Sequence, residues 1–140
     1  MKKTVICIVS TAAVFVLATA LNIQNMIWGG TPSVLGLVFS LVFCACLFVM
    51  PAVAKNRAFA VVSACFAAFS AIASTAGLLA VKGIISDTLA LVAVPPLTAF
   101  CGLSYIMGDY SVFYSVLIAF TLIAALNLIL TARKTAAAKA

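Results

Sequence analysis

Long apolar runs broken by a handful of charges constrain this chain more than any other feature. Ten charges occur in 140 residues, 7% of the chain against 67% hydrophobic residues. A soluble domain carries about 25% charged residues, so a soluble fold of this sequence would have nothing to cover its surface. The runs between charges approach about 20 residues, the length that crosses roughly 30 Å of hydrocarbon at 1.5 Å per residue. The expected fold is therefore all-α: a polytopic membrane helical bundle forming a single transmembrane domain over 1–140.

Five apolar segments are expected, at 4–28, 32–54, 58–81, 88–107 and 111–132, with a frayed polar tail at 133–140. Trp28 and the tyrosines Tyr105, Tyr110 and Tyr114 read as interfacial anchors. Thr31 is the expected N-cap of the second segment and Pro32 its first helical residue. Pro51 falls in that segment's last turn, and Lys55-Asn56-Arg57 forms a tight basic loop. The start resembles a signal peptide in layout, with Lys2 and Lys3, an apolar run from Val5 to Leu17, and Ala18-Thr19-Ala20 as a cleavage site. Apolarity continues past that site, and cleavage would leave the closing basic residues outside, against the positive-inside rule. An uncleaved first span with a cytoplasmic N-terminus in the cell membrane is the expectation.

Length and charge disagree about the fourth segment. It has 20 uncharged residues, enough to span, which gives five crossings and an outside C-terminus. That path leaves Lys2, Lys3, Lys55 and Arg57 inside but Lys82, Arg133, Lys134 and Lys139 outside. Four crossings with a re-entrant fourth segment leave only Lys82 outside, which the positive-inside rule prefers. Five crossings is the expectation on length, and four plus a re-entrant segment is the alternative. Either way, Pro95-Pro96 should break the segment into half-helices or a sharp kink.

Apolar burial gives helices little reason to associate in lipid, whereas small residues allow close packing. Ala60, Ser63, Ala64, Ala67, Ser70, Ala71, Ser74 and Gly77 share one face of the third segment, with Phe59, Val62, Phe66, Phe69 and Ile72 opposite. The third segment should be the central helix. Shorter stripes are Gly36, Ser40 and Cys44 in the second segment and Ser111, Ser115 and Ala119 in the fifth. These faces could equally bind a second copy or another membrane protein.

The chemical inventory is thin. The chain has no histidine and two acids, Asp87 and Asp109, each just before a helix start where it can act as an N-cap. On a re-entrant path the two could instead form a cation-attracting mouth. Five cysteines without CxxC are neither a disulfide framework nor a zinc site, and Cys44 and Cys46 point about 200° apart on a helix. No cofactor or metal is expected. The net charge of +6 punctuates apolar segments and forms no stripe, so nucleic acid is not an expected partner; the lipid bilayer is. Candidate polar positions are Asn22, Asn25 and Asn127, which converge only on a five-crossing path, together with Pro95, Pro96, Asp87 and Asp109. The expected function is a non-enzymatic accessory or partner-binding membrane subunit. A small oligomeric transporter or channel built on the Pro95-Pro96 break is the alternative.

Overall fold

The computed structural model describes residues 2–86, 88, 91 and 94–137. Four long helices are apolar enough to cross a membrane: α1 (Lys2–Trp28), α2 (Val34–Ala54), α3 (Arg57–Val81) and α6 (Tyr110–Ala137). Between α3 and α6 lie α4 (Val94–Leu97), a 3-10 segment (Thr98–Leu103) and α5 (Ser104–Met107). The helical bundle expected from composition is present, and several of its local signals shift by a residue or more.

The N-cap of α2 is Ser33, whose Oγ accepts the Gly36 N–H at 3.0 Å, so Thr31 and Pro32 belong to the turn before it. A hydroxyl in that place satisfies one of the four amides that a helix start leaves without partners. Asn56 caps α3 in the same way, accepting the Phe59 N–H at 3.1 Å. Lys55 makes the two-residue reversal by taking φ 49°, the left-handed conformation that ends α2. The tail expected to fray is helical as far as Ala137, because Thr131, Thr135 and the alanines continue the i to i−4 ladder of α6.

Two antiparallel pairs make up the bundle. α3 packs along α6, and α1 packs along α2. Every residue of the small stripe on α3, from Ala60 to Gly77, is buried, while Val62, Phe69 and Ile72 face out. The corresponding face of α6 is not the expected one. Ser115 and Ala119 are exposed, and the packed residues are Phe113, Tyr114, Leu117, Thr121, Ala124, Ala125 and Leu128. Larger side chains fill the space that the alanines and serines of α3 leave, so the interface joins one small face to one large face.

The path of the chain corrects the expectation of five crossings. At one end, the Thr4 hydroxyl reaches the Ala54 carbonyl at 3.4 Å, and Arg57 shares a groove with Arg133 and Ala136. At the other end, the Tyr110 hydroxyl lies 3.5 Å from the Gly30 carbonyl, and Gly77 abuts the Tyr114 ring. The end of α3 and the start of α6 thus share an end of the bundle. The chain leaves that end after Val81 and returns to it at Tyr110, as the four-crossing alternative requires. Lys2, Lys3, Lys55, Arg57, Arg133 and Lys134 gather at the basic end, with Lys82 and Asp109 at the far end.

The segment between α3 and α6 reaches mid-depth. Phe100 packs on Phe43 of α2 with ring centroids 5.2 Å apart, nine residues or about 14 Å along the helix from Val34. Phe100 also meets Phe66 of α3 and Phe120 of α6, both at 6.3 Å. Phe15 of α1 joins the cluster through Phe43 at 5.4 Å and Phe66 at 5.6 Å. One aromatic side chain from every long helix therefore joins the cluster around Phe100, mostly in the tilted and edge-on geometries that aromatic pairs favour.

Candidate functional site

Where the re-entrant segment climbs back toward the far end, its backbone lies directly on α2. A Cβ on Gly102 would collide with the Gly36 backbone carbonyl group and, at 2.6 Å, with the Ser40 Oγ. This crossing exists because both helices carry glycine there. Asn22 of α1 closes the third side. Its Nδ2 donates to the Ala18 carbonyl at 2.8 Å, the Ser40 Oγ at 3.2 Å and the Gly36 carbonyl at 3.3 Å. The Ser40 hydroxyl in turn donates a hydrogen bond to the Ala99 carbonyl at 2.7 Å. Asn22 and Ser40 are both fully buried. Together they link α1, α2 and the 3-10 segment, with one hydrogen bond, from Ser40 to Ala99, reaching the irregular backbone.

The network is not completely matched. The Asn22 Oδ1 has no hydrogen-bond partner, and neither does the Thr19 Oγ one turn earlier. The orientation is nonetheless the right one: three acceptors surround the amide, so its NH2 group must face them. Oδ1 is left against the Gly36 Cα, where a methyl group could not fit. Elsewhere, hydroxyls bond carbonyls three or four residues earlier in the chain. Thr98 donates to Val94 at 2.6 Å, Ser104 to Cys101 at 2.8 Å and Ser74 to Ser70 at 2.7 Å.

The other sequence candidates separate. Asn25 is half-buried beside Gly30 at the far end. Asn127 lies toward the basic end of α6 with its side chain exposed, so the convergence of Asn22, Asn25 and Asn127 does not occur. It required α6 to run in the opposite sense. Asp109 is an N-cap, accepting the Ser111 N–H at 2.6 Å and the Val112 N–H at 3.2 Å. Asp87 lies outside the described residues, and with it the question of a paired acidic mouth. Pro95 and Pro96 lie within α4 (Val94–Leu97). A 3-10 stretch follows them, at Thr98–Leu103. All five cysteines are free, Cys44 and Cys46 among the buried ones, and no metal-ligating group of three assembles among the described residues.

Sequence reasoning missed the aromatic cluster, Gly102, and two grooves in the basic half. Both grooves lie between helices of the bundle. α1 and α3 stay apart over a groove of about 540 Å³ lined by Ile8, Thr11, Phe15, Phe43, Phe59 and Phe66. A second groove of about 450 Å³ runs along α3 and α6, between Arg57 and Arg133. A smaller polar pocket of about 210 Å³ at the far end is formed by Gly29, Gly30, Tyr105, Asp109 and Tyr110. Phe100 is the one position that sequence could have flagged, as the sole aromatic residue between Phe69 and Tyr105.

Fold and site together define a multi-pass helical membrane protein with four long apolar helices and one shorter re-entrant helical segment. Compared with known protein families, with characterised proteins and with solved structures, the chain matches none.

Proposed function

We propose that this chain is a non-catalytic subunit of the cell membrane that binds a partner membrane protein, with its basic end in the cytoplasm. Six of the seven described basic residues at one end support that orientation through the positive-inside rule. The observation that carries the reading is the open groove between α1 and α3. Among the described residues, the re-entrant segment packs between the helix pairs around Phe100. The basic half keeps a cleft walled by Phe15, Phe43, Phe59 and Phe66 that opens sideways to the bilayer. Its length along α3, from Ala58 to Phe66, is about 12 Å, or roughly two turns of a docking helix. Rigid aromatic walls of this kind concentrate binding free energy, and Thr11, Ser63 and Asn56 supply polar contacts that fix register.

A photoreactive residue at Ile8 or Phe59 should yield one cross-linked protein adduct in native membranes. The same residue at Ile72, which is 68% exposed on the face away from the bundle, should yield none. Ala12→Phe, which fills the groove from its rim, should remove the adduct.

One observation favours a channel or transporter instead: irregular backbone reaches mid-depth at Thr98–Leu103, and in membranes such backbone is buried in protein or lines a cavity. The aromatic closure around Phe100 supports burial. Glycerol and small-ion flux in liposomes holding the purified chain separates the readings. Flux above that of empty vesicles would replace the subunit proposal with the channel.

A further inference from the structure

We infer that the outward face of the α3–α6 pair, at the basic end, is a binding site for one anionic phospholipid. The two helices run antiparallel, so the first residue of α3 and the last turns of α6 come to the same level. Arg57 and Arg133 then top a single groove of about 450 Å³, one guanidinium from each helix. Below them the walls are apolar and mostly small, Val61, Cys65 and Ala68 on one side and Ile129 and Ala132 on the other. From Val61 to Ala68 the groove descends about 10 Å into the membrane. A planar guanidinium matches the geometry of a phosphate and donates two bonds at once. Two forks above an apolar channel therefore fit a phosphodiester head group with an acyl chain beneath it.

Charge selects among occupants. Asp109 is the only acid among the described residues, and it caps α6 at the opposite end, so no described carboxylate competes at this one. A second copy docked symmetrically here would bring Arg57 and Arg133 against their own equivalents, and like charges facing each other are strongly disfavoured. Free phosphate would leave the apolar groove empty.

The test uses the full chain purified in mild detergent and mixed with equal amounts of phosphatidylglycerol and phosphatidylcholine, with the retained lipid counted by native mass spectrometry. Wild type should retain phosphatidylglycerol in excess. Arg57→Gln with Arg133→Gln should cut that retention by about tenfold, the effect of losing charge-assisted hydrogen bonds. Lys55→Gln with Lys134→Gln removes the same charge from the same end but outside the groove, and should change retention by less than about twofold. Ala68→Phe blocks the groove with both arginines intact and should lose retention as well. Cys65 gives a second readout in the unmutated protein. It lines the groove and is the one exposed cysteine, the other four being buried. Phosphatidylglycerol should slow its alkylation by N-ethylmaleimide relative to phosphatidylcholine.

Equal losses in the two double variants would overturn the site in favour of diffuse surface attraction. Full retention in Ala68→Phe would overturn the groove as the place of the acyl chain. Absence of lipid preference, with a dimer cross-linked through Cys65, would make a second copy the occupant.

Discussion

Gly102 is the residue on which the re-entrant segment depends most closely. Its missing side chain lets one backbone rest on another at Gly36, and neither backbone can yield to a methyl group. Gly102→Ala should cost about 1–3 kcal/mol, the usual penalty for overpacking, read as reduced resistance to unfolding in mixed micelles. Gly83→Ala is a fair comparison, because its Cβ would meet nothing and only its φ of +69° opposes substitution. The asparagines make the same point about position. Asn22→Ala removes donors to three acceptors on two helices and should cost about 1 kcal/mol, in the range measured for hydrogen bonds between membrane helices. Asn127→Leu replaces an exposed amide and should leave stability unchanged or raised. Both asparagines read alike in the sequence, as amides within apolar runs. What separates them is the rotation of each helix about its axis. Hydropathy fixed this well for α3, whose small residues form one stripe, and badly for α6, which is apolar all round.

At the scale of elements, the fourth segment shows most clearly what sequence could and could not tell. Its two prolines are the loudest local signal, and they do mark a break in regular helix. Among the described residues the irregular stretch comes after the prolines, at Thr98–Leu103, while Pro95 and Pro96 themselves lie in α4. The element is held by its aromatic contacts. Phe100 is fully buried among Phe43, Phe66 and Phe120. Phe100→Ala should therefore cost about 3–5 kcal/mol, as truncation of a core phenylalanine does. Pro95→Ala should cost no more than about 1 kcal/mol, the effect of one released backbone angle in the unfolded chain. Unfolding of the two variants in parallel checks the ranking, and a costlier Pro95→Ala would mean that the prolines, not the aromatic cluster, hold the segment. Its isolation among non-aromatic residues marks Phe100 out, but no local pattern announces its partners, which are 34 or more residues before it or 20 residues after it in the chain.

For the whole molecule, two sequence signals competed, and the charge signal was the better guide. Counting 20 uncharged residues at 1.5 Å each assumes a straight helix. A segment that turns at mid-depth uses the same residues to go in and come out, so its length cannot distinguish a crossing from a return. Charge carries no such ambiguity. Each flanking lysine or arginine must end on one side, and the four-crossing path gathers all but Lys82 of those described at one end. The bundle makes this geometry self-consistent, since α6 can lie antiparallel to α3 along its whole small face only if it starts where α3 ends. Single cysteines introduced as Lys55→Cys and Lys134→Cys should therefore react with a membrane-impermeant maleimide from one side of intact cells. Trp28→Cys and Lys82→Cys should react from the other. Should Lys134→Cys label with Lys82→Cys, the segment crosses after all, α6 runs the other way, and the contacts of Gly77 with Tyr114 and of Arg57 with Arg133 cannot both exist. Labelling of every position from both sides would mean that the chain inserts in two orientations, and that the excess of basic residues at one end is too weak to choose between them.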